Sequence, residues 1–466
     1  NARKGKVPVV NIVGDHATYH VKYDAQLQSD IETVARNVST WLRTSASTPD
    51  VCSDAVQAVA ASMGPPGQVA TLILPADVCW SEGAVPAALP PVPAAPRAPD
   101  ATLNGIAQVI RGGAPAAMLL GGRALREPSL LAAARIASRH GVKLLAEVFP
   151  TRIERGAGLP HVERLAYLAE LASVQLHGLR HLILVDAKSP VSFFAYPGKK
   201  SDLVPEGCEV HTLAGFDQDA EGSLAGLAAR LGAQDARPEL QAPVRPGRPR
   251  GKLTAEKVCK AIGALLPERA IIVDEAQTSG VLLPSFTRGA PRHDVLTLTG
   301  GAIGQGLPTA VGAAIACPDR PVLALCGDGS AMYTIQSLWT MAREQLDIIT
   351  IVFNNRSYAI LNVELQRVGA QGSGDKARGQ LDLNRPGLDF VQVSQGLGVP
   401  AERTTTAAAF VAALERALQA RGPHLIEAVV PSAFSGLKLR MLPRLLAALG
   451  SLPQPVARAI KRKVAP

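Results

Sequence analysis

The chain has 466 residues, of which 47% are hydrophobic and 19% charged; this is room for two to four globular domains and excludes a disordered or fibrous polypeptide. Aromatic residues make up only 4%, so the cores must be built from Ala, Val, Leu and Ile, a composition that suits parallel sheets covered by helices on both faces. The formal charge of +9 is spread along the chain with no basic run interleaved with aromatics, which argues for a solvated basic surface and against nucleic acid as partner.

The sequence opens Asn1-Ala2-Arg3-Lys4-Gly5-Lys6-Val7, without Met, and meets a core strand at once, so it reads as truncated. Strand Pro8–Val13, a helix near Val51–Ser62 and strand Gln68–Leu74 form a first part, residues 1–85. Ser81 to Asp100 carries Pro86, Pro90, Pro91, Pro93, Pro96 and Pro99, and Ala236 to Lys252 carries Pro238, Pro243, Pro246 and Pro249. Fixed φ and missing N–H donors make both stretches semi-rigid connectors. Between them, residues 100–235 alternate strand Ala116–Leu120, helix Leu130–His140, strand Val142–Ala146 and strand Leu182–Val185. Beyond them, residues 250–435 place strands at Ala270–Val273, Val322–Cys326, Ile348–Phe353 and Leu425–Val429 with amphipathic helices between. Such alternation implies right-handed βαβ units, and the expected fold is α/β with three doubly wound parallel-sheet domains, the first incomplete.

Residues 436–466 form a basic tail in which Lys438, Arg440, Arg444, Arg458, Lys461, Arg462 and Lys463 sit among Leu, Val and Ala, a pattern suited to an acidic surface, a membrane or a loose end. No apolar run is long enough to span a bilayer and no signal peptide is visible. The six cysteines form no C-x-x-C pair and are flanked by apolar residues, as expected of reduced core thiols in a cytoplasmic protein.

Chemistry concentrates in the third part. Leu323-Ala324-Leu325-Cys326 runs into Gly327-Asp328-Gly329-Ser330; a helix over Tyr333–Glu344 follows, and strand Ile348–Phe353 ends at Asn354-Asn355. Asp328 and Asn355 then fall at the carboxyl ends of parallel strands joined by one crossover, the edge where open α/β sheets bind ligands. Mg²⁺ seeks a compact octahedron of oxygens shared between one or two side chains and phosphate. The Asp328 carboxylate, the Asn355 amide carbonyl and a backbone carbonyl at Ser357 meet that need. Gly327 and Gly329 let the backbone approach a diphosphate, and the next helix turns N–H groups toward the same anion. A lone Gly-Asp-Gly is an ordinary turn. The ordered set of strand, Gly-Asp-Gly, helix, strand and Asn-Asn carries the assignment.

In these residues the sequence resembles the thiamine diphosphate-dependent enzymes, and Gly327 to Tyr333 with Ser337-Leu338-Trp339-Thr340 is similar to the benzoylformate decarboxylase and acetolactate synthase branch. The resemblance covers essentially the whole chain. It implies a pyrimidine-binding domain in residues 1–85, a middle domain in 100–235 and a diphosphate-binding domain in 250–435. It implies further that Thr299 to Pro308 is the loop beneath a bent cofactor, with the Gly301 carbonyl receiving the 4′-amino group and Ile303 wedged between the rings. Gln277 and Thr278, in Asp274-Glu275-Ala276-Gln277-Thr278, would donate to phosphate. His16, after a strand end, could reach substrate, while Ile360 and Leu361 would line its pocket. The glutamate that activates the cofactor in the family would lie N-terminal to Asn1, and it would act across the interface of a homodimer or homotetramer.

The Gly-Met-His-Gly and Arg-Phe-Asp-Asp-Arg patterns associated with FAD in acetolactate synthases are absent, which counts against FAD; Arg123 after Gly121-Gly122 is the remaining nucleotide candidate. The expected activity is decarboxylation or carboligation of a 2-oxo acid, of acetolactate synthase type. The competing readings are a benzoylformate decarboxylase-like lyase and a non-catalytic regulator or scaffold of the same fold. A Rossmann dehydrogenase is a poor fit because Gly327 to Met332 lacks the third glycine of G-x-G-x-x-G, and no Walker A lysine motif is present.

Overall fold

A computed structural model describes residues 1–370, 374–432, 441, 445–446, 448–449 and 452–464. The first part pairs β1 (Val9–Asp15), β2 (Trp41–Thr44) and β3 (Val69–Pro75) in one parallel sheet of order β1-β3-β2. Its core is small, built on Ala58, Ala70 and Leu72, and it leaves Ile12 68% and Val34 71% exposed.

The middle segment supplies β4 (Ala116–Leu120), β5 (Lys143–Ala146), β6 (Arg152–Arg155), β7 (Glu163–Arg164), β8 (His181–Val185) and β9 (Glu209–Ala214). Five of these form a parallel sheet of order β7-β5-β4-β8-β9. The sixth, β6, leaves the middle sheet and pairs antiparallel with β11 (His293–Thr297) of the third. The expected α/β fold with three parallel-dominated sheets is found, and among the described strands β6 is the antiparallel exception at one edge. Charged Arg152, Glu154 and Arg155 leave this segment without an apolar run, and pairing with Leu296 to His293 makes β6 a strand.

The third sheet continues with β10 (Ile271–Glu275), β12 (Val322–Gly327), β13 (Ile348–Asn354), β14 (Ala401–Thr404) and β15 (His424–Val429), in the order β14-β15-β13-β12-β10-β11-β6. Its inner strands are buried on both faces, as the continuous apolar runs Ile348–Phe353 and Val322–Cys326 require. One apolar core runs from Leu103 and Met118 of the middle segment through Ile153 to Phe353 and Phe410 of the third.

Three smaller corrections follow. The helix expected at Tyr333–Glu344 is shortened to Ser337–Arg343, and a separate helical turn at Asp328–Ala331 precedes it. Of the basic tail, Lys438, Arg440, Arg444 and the side chain of Lys463 lie outside the described residues. The rest is neither loose nor wholly exposed: helix Gln454–Val464 buries Ala457 with Leu171 and Val174, and buried Lys461 pairs with Glu163. All six cysteines are free, but only Cys259 and Cys326 are buried, and Cys79 is exposed. Among the described residues no helix is long and apolar enough to cross a membrane.

Candidate functional site

Four neighbouring strands of the third sheet, β13, β12, β10 and β11, present their carboxyl ends side by side. Register places Gly327 opposite Phe353, and Glu275 opposite Cys326. The loops that follow carry, in spatial order, Asn355, Asp328, Gln277 with Thr278, and Gly301 with Ile303. Residues up to 78 apart in sequence are thereby set along one edge.

Asp328 is 2% exposed. Its Oδ1 accepts from the Gly329 N–H at 2.9 Å and its Oδ2 from the Arg356 N–H at 2.5 Å. Arg356 reaches it by adopting a left-handed φ of 60°, which folds the chain after Asn355 back over β12. Burial pushes the Asp328 carboxyl up to about 6, and the backbone donors only partly offset this. No ion pair reaches Asp328 among the described residues, so a buried anion is left without a countercharge. Asn355 Oδ1 accepts from the Ser357 N–H at 3.0 Å, and the Ser357 carbonyl accepts from Ala359 at 2.8 Å. The first asparagine does a different job: Asn354 Nδ2 donates to Glu427 Oε1 at 2.6 Å, and Arg403 holds Glu427 Oε2 at 2.8 Å. Asn354 thus locks the end of β13 to β15 and fixes where Asn355 emerges.

The loop bearing Gly301 and Ile303 rests on Glu275, a residue that the sequence reading passed over. Glu275 is 1% exposed, and its Oε1 accepts from Gly304 N at 2.8 Å and Gln305 N at 2.9 Å. Burial raises its carboxyl to about 7, opposed by the N–H groups of Gly306, Gln305 and Gly304. Its position at the last residue of a buried strand, before a polar loop, was the available signal. On the outer side Asn1 donates to the Ala302 carbonyl at 2.8 Å and accepts from the N–H groups of Gly300 and Ala302. Gly301 has φ +78°, and a Cβ there would meet the ring of Phe193 at 2.4 Å, so both conformation and space demand glycine. Phe193 belongs to an aromatic cluster with Phe149, Tyr167 and Phe194. Ile303 is half-buried and Ser330 buried; Gln277, at φ 39°, and Thr278 open the short helix Gln277–Gly280.

The helix Ala359–Arg367 carries Ile360, half-buried, and Leu361, 43% exposed. Its far end is fixed to the middle segment: Arg367 stacks on Tyr196 at 3.7 Å and pairs with Glu170 at 3.0 Å, and Tyr196 donates to Glu364 at 2.7 Å. His16 stands apart, at the end of β1, with its ring 5.4 Å from that of His20; no described hydrogen bond or ring contact links it to the four loops.

At the middle sheet, Gly121-Gly122 leaves β4 between Glu147 and Asp186. Gly122 N donates to Glu147 at 3.2 Å and Arg123 N to Asp186 at 2.7 Å. Burial raises Glu147 to about 7 and Asp186 to about 6. Raised carboxyl pKa values mean that the folded state binds more protons than the unfolded chain between about pH 4 and 7. Stability from these groups is full in acid and is lost as pH rises through their folded values. The buried His293, lowered to about 4, acts oppositely but only below about pH 6.5, where the unfolded chain protonates. The ligand-free protein is therefore expected to melt at lower temperature at pH 7.5 than at 6.5, with each group near 7 contributing at most about 1.4 kcal/mol per pH unit. Thermal scans in matched ionic strength check this; a rising midpoint would refute it.

Comparison with known proteins fits this layout. The thiamine pyrophosphate enzyme C-terminal TPP binding domain matches residues 277–428. A Mycobacterium tuberculosis H37Rv protein provisionally named acetolactate synthase large subunit IlvX is 57% identical over 437 residues, covering 93% of this chain and 83% of its own length. Benzoylformate decarboxylase of Pseudomonas aeruginosa is 34% identical over 180 residues, 38% of this chain and 32% of that protein. The solved structure of thiamine diphosphate-dependent 4-hydroxybenzoylformate decarboxylase from Rhodococcus jostii RHA1 shares the fold, with TM-score 0.80 at 23% identity over 93% of this chain and 84% of that one. With strand order, loop placement and these likenesses in agreement, the chain belongs to the thiamine pyrophosphate-dependent enzyme family.

Proposed function

We propose that the chain is a thiamine diphosphate- and Mg²⁺-dependent 2-oxo acid decarboxylase or carboligase of acetolactate synthase type. The observation that carries this reading is the row of four strand-end loops, with the buried, uncompensated Asp328 carboxylate at its centre. An oxygen donor set of Asp328, Asn355 and the Ser357 carbonyl fits a hard dication, which would supply the countercharge that Asp328 lacks. Gln277, Thr278 and the Gly327–Ser330 turn would hold the diphosphate. The Gly301 carbonyl would receive the aminopyrimidine, and Ile303 would support the bend. When bound, the cofactor supplies carbanion stabilisation at its thiazolium ring. The protein's share is to orient the rings and to keep water from them.

In this reading the working unit is a cytoplasmic homodimer or homotetramer with its site at a subunit interface. The exposed Ile12, Tyr19, Tyr23, Leu27 and Val34 of the first part give such an interface an apolar face. FAD is not part of the proposal: the N–H groups of Gly122 and Arg123, which a nucleotide phosphate would need, are already taken by carboxylates that repel it.

A second reading, decarboxylation of an aromatic 2-oxo acid, is favoured by the Phe149-Tyr167-Phe193-Phe194 cluster beside Gly301. Steady-state turnover of pyruvate and of benzoylformate by the full-length protein, with the sequence that precedes Asn1, separates the two. The first reading expects kcat/KM for pyruvate to be greater by about tenfold or more, the scale on which a pocket discriminates by size. The reverse order selects the second. Turnover of neither substrate, with cofactor bound, selects a non-catalytic role.

A further inference from the structure

Two histidines and a glutamate meet at the amino ends of β8 and β9, away from every loop described above. His181 opens β8, and the parallel register sets it opposite Glu209. Glu209 and His211 lie two apart on β9 and so share a face of the sheet. His181 Nδ1 is 3.1 Å from His211 Nε2, and Glu209 Oε2 lies 3.7 Å from the first and 3.8 Å from the second. Around a tetrahedral ion with bonds of about 2.0–2.1 Å, ligand atoms stand roughly 3.3 Å apart. All three separations are within about half an ångström of that value. The rings are held, with side chains 18% and 21% exposed, while Glu209 at 72% closes the group from the solvent side.

We propose that His181 Nδ1, His211 Nε2 and Glu209 form a binding site for a divalent transition-metal ion of the Zn²⁺ type, with the fourth position open to water. Imidazole donors select Zn²⁺, Co²⁺, Ni²⁺ or Cu²⁺ over Mg²⁺, so this site is chemically distinct from the oxygen set at Asp328. Five residues of β8 separate it from the carboxyl end of the middle sheet, about 13 Å at strand rise, so the ion touches no group there. It would cross-link β8 to the edge strand β9, whose Glu209 and Val210 are exposed.

The test is calorimetric titration with zinc chloride of the full chain, already saturated with Mg²⁺ and thiamine diphosphate. The expected result is one zinc per chain, with affinity reduced at least tenfold in His181→Ala and in His211→Ala. Cobalt substitution should give visible absorption that those variants lose. Glu209→Gln, at an exposed position that cannot unfold the sheet, should weaken binding by a similar factor and decides the matter if a histidine variant fails to fold. Absence of saturable zinc binding overturns the proposal. So does binding that survives His211→Ala and Glu209→Gln but is lost when His16 and His20, the other adjacent pair, are replaced by Ala.

Discussion

Mg²⁺-dependent binding of thiamine diphosphate is expected to fall by about 100-fold or more in the Asp328→Ala variant, with the fold retained. Loss of an outer-shell partner alone costs a metal site about 10–100-fold, and a direct ligand costs more. The fold should survive because the carboxylate is a burden in the ligand-free protein: it is 2% exposed and has no cationic partner. Its removal leaves the N–H groups of Gly329 and Arg356 without that acceptor, at about 1–3 kcal/mol each, against which the relief of a buried charge must be set. Fluorescence titration with cofactor at fixed Mg²⁺, alongside circular dichroism, reads both effects. Unchanged affinity in a folded variant would remove Asp328 from the metal site and the proposed function with it.

Glu275→Ala is expected to cost about 3 kcal/mol or more of stability, since it strands up to three loop N–H groups in a buried setting at about 1–3 kcal/mol each. Glu275→Gln should be close to neutral. Gly304 N and Gln305 N both use Oε1, which an amide reproduces, and the carboxyl is already raised to about 7. The amide does not titrate, so Glu275→Gln should also flatten part of the loss of stability between pH 6.5 and 7.5. Denaturant titration at the two pH values measures all of this. Equal losses from Ala and Gln, which keeps the volume and one acceptor oxygen, would show that the loop needs the carboxylate itself and overturn the acceptor role of Oε1.

The third sheet and its candidate site were legible in the sequence for a physical reason. Buried parallel strands are continuous apolar runs, and the turns that bind phosphate need glycine, so Val322–Cys326 with Gly-Asp-Gly and Ile348–Phe353 with Asn-Asn carry their own signal. Edge strands are half solvated and lose it. Arg152–Arg155, Ala401–Thr404 and Glu209–Ala214 have mixed polarity and are defined only by their partners. Glu275 escaped notice because its importance lies in three backbone donors some 30 residues away. No side-chain pattern marks such donors. The distinct duties of Asn354 and Asn355 could not be separated until Glu427 was seen beside the first.

The antiparallel strand β6 bears on how the chain can be divided. Residues 250–435 read as a self-contained unit, yet cut out on their own they would leave β11 with a bare row of N–H and C=O groups, an invitation to pair with another molecule. Asp294 would lose Arg152, 2.6 Å away, and Thr297 its contact with the Pro150 carbonyl. The smallest piece that keeps the candidate site soluble and intact should therefore begin before Pro150, and the middle segment serves as the guard of the very sheet that holds the proposed cofactor residues.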